Sequence, residues 1–182
     1  MANSQNGFPG LESDSDRLHK WIIPGTGRYF VMRNGSAGFL LAHFAHWYHH
    51  RIEPIDGGIW DEWGYAYRPV RDGSDLSNHA SGTAIDINAT RHVLGRDDTL
   101  LFKVRHRGKL VVARTRIATK LAVTYRRTIR AGAFYTGRKD EMHYEINASL
   151  SMCEVQARRL MRGRRGQLIL AANPGQEAVI WS

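Results

Sequence analysis

Ser77-Asn78-His79-Ala80-Ser81-Gly82-Thr83-Ala84-Ile85-Asp86-Ile87-Asn88 is the stretch around which the rest of the chain is arranged. From residue 82 to residue 88 small or apolar residues alternate roughly with others, and Ile85 and Ile87 are β-branched, which predicts a short, largely buried strand. His79 precedes that strand in a turn, and Asp86 lies within it. The imidazole and the carboxylate can meet on one ion if the turn folds back over the strand. Gly82, which has no Cβ, is where that bend costs least. Ser77 is placed to orient a ligand through a hydrogen bond. Far along the chain, Asp140-Glu141-Met142-His143-Tyr144-Glu145 supplies a second imidazole on a second predicted strand, residues 142–146. Between them the two stretches supply two imidazoles and several carboxylates, a donor set suited to a catalytic zinc ion, whose fourth position stays open to water. An isolated His…Asp pair would equally suit a strand with one satisfied histidine and an aspartate capping a turn.

The complete pattern is more specific. S-x-H-x-x-G-x-A-x-D over residues 77–86, then an acid, two residues, a histidine, an aromatic and a glutamate at Asp140, His143, Tyr144 and Glu145, resembles a known zinc signature. It is that of the D-alanyl-D-alanine carboxypeptidase and L-alanyl-D-glutamate endopeptidase family of peptidoglycan peptidases. Trp63-Gly64-Tyr65-Ala66-Tyr67-Arg68-Pro69-Val70-Arg71 and Ala89-Thr90-Arg91-His92 make the likeness closer to peptidase domains of endolysins from phages of mycobacteria and other actinobacteria. The resemblance runs from Trp21 to the C-terminus. It implies Zn²⁺ on His79, Asp86 and His143, with Asp140 in the family's acid position as general base. It also implies an arginine ahead of the histidine motif that binds substrate and stabilises the oxyanion: Arg68, with Arg71 in reserve. The implied fold is α+β of the hedgehog/DD-peptidase type, a small antiparallel sheet carrying the zinc site with helices packed to one side. Residues 131–135 depart from the family's tryptophan and two glycines, which leaves the cleft shape near Phe134 open.

Around His143 the strand period sorts the other acids. Glu145, two residues on, shares the face of His143 and can accept its second N–H. Glu141 is expected on the opposite face, in solvent.

With 182 residues, 42% hydrophobic and 24% charged, the chain is long enough for one domain with its own core. Residues 1–20, rich in Ser, Asp, Asn and Gly, are expected to be a flexible lead-in, and 21–182 the zinc peptidase domain. The single cysteine, Cys153, excludes an internal disulfide framework and a thiolate-rich metal site, and is expected buried in a helix. No apolar run is long enough to span a bilayer. Residues 1–16 lack a basic n-region and an apolar h-region, so no secretory signal is expected. With the endolysin likeness, this implies synthesis in a host cytoplasm and access to the wall once the membrane is opened. A net charge of +9 calls for an anionic partner. The peptidoglycan stem peptide and anionic wall polymers fit. Nucleic acid is not expected, since no helix-turn-helix or zinc-finger spacing occurs. A monomer with no membrane partner is expected.

The remaining elements follow from periodicity. Residues 28–33 predict a strand; Ser36 is expected to cap a helix over 37–51, with Phe39, Leu40, Phe44 and Trp47 inward. That helix carries His43, His46, His49 and His50. His46 and His50 have a zinc-binding spacing but lack the glutamate of H-E-x-x-H, which favours packing and solvent. Residues 53–63 predict a loop followed by clustered aromatics, of which Trp63 and Tyr67 join Arg71 as candidate substrate contacts. Residues 91–107 predict a basic connector turning at Gly95, 110–129 a helix ended by Arg126, Arg127 and Arg130, and 149–161 another helix.

The function these readings predict is hydrolysis of an amide in the peptidoglycan stem. L-Ala–D-Glu endopeptidase activity is favoured over D-Ala–D-Ala carboxypeptidase activity, because trimming a terminal residue does not break a cross-linked wall. The alternative is a non-catalytic, zinc-containing wall- or partner-binding protein of the same fold, as the hedgehog signalling domain is.

Overall fold

The computed structural model describes residues 2–70 and 73–182, so Arg71 lies outside the described residues. Among these, seven strands form three small antiparallel sheets, and five helices accompany them. The fold is α+β, as expected, with its strands shared among three sheets where one was expected.

β1 (Leu18–Ile23) and β2 (Arg28–Arg33) form a hairpin around the turn at Gly25 and Gly27. Helix α1 (Gly35–Arg51) follows at once and is buried from Gly35 through Tyr48. Phe39, Leu40 and Phe44 are fully enclosed, which is why the apolar residues recur so densely here. Ser36 does not cap α1. The flanking residue is Asn34, without a side-chain cap, and the free Gly35 N–H donates instead to Gln176 Oε1 at 2.8 Å. A tertiary partner thus satisfies a helix end for which the sequence offered a local one.

β3 (Ala84–Asp86) comes next, then the hairpin of β4 (Lys103–His106) and β5 (Lys109–Val112), then α2 (Ala113–Val123). β6 (Ile129–Ala131) and β7 (His143–Ile146) join β3 in the order β3-β7-β6, all antiparallel. The helix expected over 110–129 is therefore shorter at both ends. Residues 110–112 pair with β4, a strand–helix ambiguity inherent in a short apolar run. Arg126 and Arg127 have φ of 49° and 63°, incompatible with helix, and Arg130 belongs to β6. The connector expected over 91–107 likewise contains β4. Helices α3 (Leu150–Leu160), α4 (Arg164–Ala172) and α5 (Gln176–Trp181) pack against α1, with Cys153 buried in α3. Tyr144 of β7 meets Phe44 of α1 at 4.6 Å between ring centroids, so α1 backs the sheet that carries His143. No described helix is long and apolar enough to cross a membrane.

One expectation fails on burial. Glu141 is completely buried: it accepts from the Thr99 and Leu100 N–H groups at 2.7 and 3.2 Å and pairs with Arg114. Its charge is offset by donors from loop and helix, which a period-2 reading of the strand could not foresee. The described part of the lead-in is also packed. Phe8 and Leu11 are buried, Leu11 N–H donates to Ala80 O at 2.9 Å, and Arg33 Nη2 donates to Pro9 O at 2.7 Å. Ser4 and Asn6 bond inward to Ser81 and Thr83, while Asn3, Glu12, Ser13, Asp14 and Asp16 are exposed.

Candidate metal centre

Local chemistry shapes the turn before β3. Ser77 precedes a 3₁₀ turn at Asn78–Ser81, and its Oγ accepts the His79 N–H at 3.3 Å. Gly82 ends that turn in the left-handed conformation, φ 67°, and its N–H returns to His79 O at 2.9 Å. A Cβ there would lie 2.5 Å from the Arg33 nitrogen of β2, so only glycine permits both the bend and the close approach. The chain then enters β3, and the antiparallel register sets Asp86 directly opposite His143. This pairing brings the two distant motifs together.

Three atoms converge as a result. His79 Nε2 lies 3.3 Å from Asp86 Oδ1 and 3.2 Å from His143 Nδ1, and His143 Nδ1 lies 2.9 Å from Asp86 Oδ1. The ring centroids are 5.0 Å apart, and all three residues are buried. Among the described residues this is the one group of three or more such side chains that could hold a metal ion. The outward nitrogens are occupied: His79 Nδ1 donates to Gly64 O at 2.5 Å, and His143 Nε2 donates to Glu145 Oε2 at 3.2 Å. Those bonds turn both remaining nitrogens toward Asp86, an arrangement of lone pairs suited to a cation. Burial alone would lower the His143 pKa, but hydrogen bonds to Asp86 and Glu145 outweigh it and raise it to about 10. Burial would likewise raise that of Asp86, yet the adjacent imidazoles hold it well below the ordinary carboxylate range. A bound cation would replace the proton shared between His143 and Asp86.

Glu145 takes the position expected of it and does more. Besides His143 it accepts from Tyr135 Oη at 2.6 Å and Arg130 Nε at 2.7 Å, and from the amide of Asn78. Burial works against its charge, but these donors, His143 foremost, bring its pKa down to about 2. Ser77 does not touch the imidazole, since its hydroxyl is used on the backbone of the turn. The group that orients His79 is the carbonyl of Gly64, which sequence reasoning missed. Trp63 and Asp86 exchange backbone hydrogen bonds at 3.1 and 2.8 Å, and this places Gly64 beside His79. A Cβ on Gly64 would meet Val31 O at 2.2 Å, so the invisible signal was a glycine required by a neighbouring strand.

A cavity of about 340 Å³ opens over the three residues, and its walls include Trp63, Arg68, Ser77, Tyr135 and Asp140. Asp140 Oδ1 is buried and has no hydrogen-bond partner among the described residues. Burial, with repulsion from Asp86 and against attraction to His143, pushes the Asp140 carboxyl up to about 6. Arg68 is exposed on the rim. Tyr67, expected beside the substrate, is exposed on the flank near Gly10 and is not among the residues lining this cavity. The His46/His50 pair gathers no third ligand: His46 Nδ1 accepts from Arg165 Nε at 3.2 Å.

Comparison with known proteins agrees with this geometry. A family model described as D-alanyl-D-alanine carboxypeptidase matches residues 71–146, a segment holding His79, Asp86, His143 and Asp140. Neither curated proteins nor solved structures give a match. The match covers less than half of the chain and supports a peptidase of this carboxypeptidase-like family.

Proposed function

We propose that this chain is a zinc peptidase that hydrolyses an amide bond in the stem peptide of bacterial peptidoglycan. The observation that carries the reading is the convergence of His79 Nε2, Asp86 Oδ1 and His143 Nδ1 in a cavity also lined by Asp140, whose Oδ1 has no partner among the described residues. Those three residues would hold the ion, and two imidazoles with one carboxylate suit Zn²⁺. Bound there, zinc would polarise the amide carbonyl and lower the pKa of a coordinated water towards about 7.

The chain's own groups do the rest. Asp140 accepts the proton of the attacking water and delivers it to the leaving amine, a task for which a pKa near the working pH is best. Its unpaired oxygen is available for that proton. Glu145, through His143 Nε2, fixes which nitrogen of that ring faces inward. Arg68 on the rim faces the substrate's carboxylates and the oxyanion, and Trp63 forms a wall of the cleft. The endolysin likeness of the motifs favours the L-Ala–D-Glu bond over the terminal D-Ala–D-Ala bond. It also favours action on the wall, where the net charge of +9 draws the chain to anionic polymers.

Purified peptidoglycan digested with and without a chelator, followed by mass spectrometry of the fragments, tests the reading. Stem peptides freed from the glycan with D-Glu at the new amino end support endopeptidase activity. Loss of one D-Ala per stem assigns carboxypeptidase activity instead. A metal-loaded protein that releases neither is the non-catalytic binding protein, and the peptidase reading falls.

A further inference from the structure

Residues 2–11 contribute to neither motif, yet they bond to the first and to the end of the strand that carries the second. The Asn6 side-chain amide donates to Thr83 Oγ1 at 2.8 Å, just ahead of β3, and to Ile146 O at 3.0 Å, the last residue of β7. It thereby ties together the two strands whose register sets Asp86 opposite His143. The Asn6 backbone N–H donates to Asn78 Oδ1 at 2.9 Å. With its oxygen so engaged, the Asn78 amide presents its NH₂ to Glu145, and Glu145 in turn accepts from His143. Turned the other way, Asn78 would set a carbonyl oxygen against a carboxylate. Gln5, the neighbouring residue, lines the cavity itself.

We propose that the N-terminal segment is a third component of the metal centre, in which Asn6 is a positioning residue: its side chain holds the start of β3 to the end of β7, and its backbone N–H turns the Asn78 amide toward Glu145. The inference rests on the reading of His79, Asp86 and His143 as metal ligands. Direct hydrogen-bond partners of ligating side chains, as Glu145 is of His143, typically change affinity by about 10–100-fold when lost; Asn6 lies further out, so a smaller change is expected.

The experiment uses the full chain, Co²⁺ as a visible-spectrum probe and competition against a chromophoric chelator for affinity. Asn6→Ala is expected to bind Co²⁺ more weakly, by up to about tenfold, with an altered absorption spectrum. Tyr65→Phe, which removes a hydrogen bond to Leu11 O at the far end of the segment, is expected to match the wild type. Asn6→Ala keeps the backbone N–H that holds Asn78 and removes only the bonds to Thr83 and Ile146, so the losses in the double variant Asn6→Ala/Asn78→Ala should add. Wild-type affinity and spectrum in Asn6→Ala, or a double variant that binds no more weakly than Asn78→Ala alone, overturn the proposal. Should Asn6→Ala fail to fold, Asn78→Ala decides, and wild-type affinity and spectrum there overturn it equally. Affinity and spectrum are read without turnover. A wild type that binds metal but cleaves no stem peptide therefore removes the peptidase reading and leaves this one standing, whereas a wild type that binds no metal overturns both.

Discussion

Asp140 and Glu145 are carboxylates on either side of the same histidine, and their surroundings drive them apart. Glu145 is held charged by four donor groups, whereas Asp140 Oδ1 is buried without a partner among the described residues, and burial pushes that carboxyl up to about 6. In the proposed reaction the partnered group orients and the other moves a proton. Asp140→Asn should therefore keep wild-type zinc content and lose at least about 100-fold in kcat; metal analysis beside a peptide-release assay checks this, and undiminished turnover removes Asp140 as base. Away from the site, Glu53 accepts from Tyr48 Oη at 2.6 Å and pairs with His92. Burial pushes its pKa up, but His92 and Tyr48 outweigh that and bring it down from 4.5 to about 2. An acid depressed on folding stabilises fully above its unfolded pKa. Metal-free protein should thus lose stability on the order of 3 kcal/mol as the pH falls from about 4.5 towards 2. Urea unfolding across that window should show the slope in the wild type and a flatter one in Glu53→Gln.

At the scale of elements, the site is a junction of three backbone segments. The segment 77–86, a turn and then β3, carries His79 and Asp86, β7 carries His143, and the extended segment through Trp63 and Gly64 pairs with the outer side of Asp86. Gly64 is squeezed between His79, which takes its carbonyl, and β2, where Tyr65 N–H donates to Val31 O at 2.6 Å. Gly64→Ala should cost about 1–3 kcal/mol of stability through overpacking. It should also weaken metal binding roughly tenfold, since the carbonyl that orients His79 must move. Thermal unfolding and metal titration of that variant test both, and unchanged metal affinity would show that the carbonyl does not orient the ring.

For the whole molecule, the proposed metal binding would be linked to folding. Both histidines and Asp86 come from segments that only the folded chain brings together, so an ion held by them would bind the native state in preference to the unfolded chain. With free zinc about 100-fold above its Kd, the gain is about 2.7 kcal/mol. For a chain of this size that is a Tm increase of about 5–10 °C. Scanning calorimetry in zinc and in chelator reads this directly, and identical curves would sink the metal centre.

The sequence by itself determined the pieces: the donor residues, the buried strand through Ile85, the helix that became α1, and the face shared by His143 and Glu145. Those depend on spacing and period within one short segment, which a linear string records. Tertiary structure decided how the pieces are held: the β3–β7 register, the Gly64 carbonyl on His79, the burial of Glu141 against Arg114, and the docking of residues 2–11 on Asn78. Each of these joins groups remote in the chain through backbone atoms or buried charge, and neither residue type nor periodicity encodes which remote partner will satisfy them.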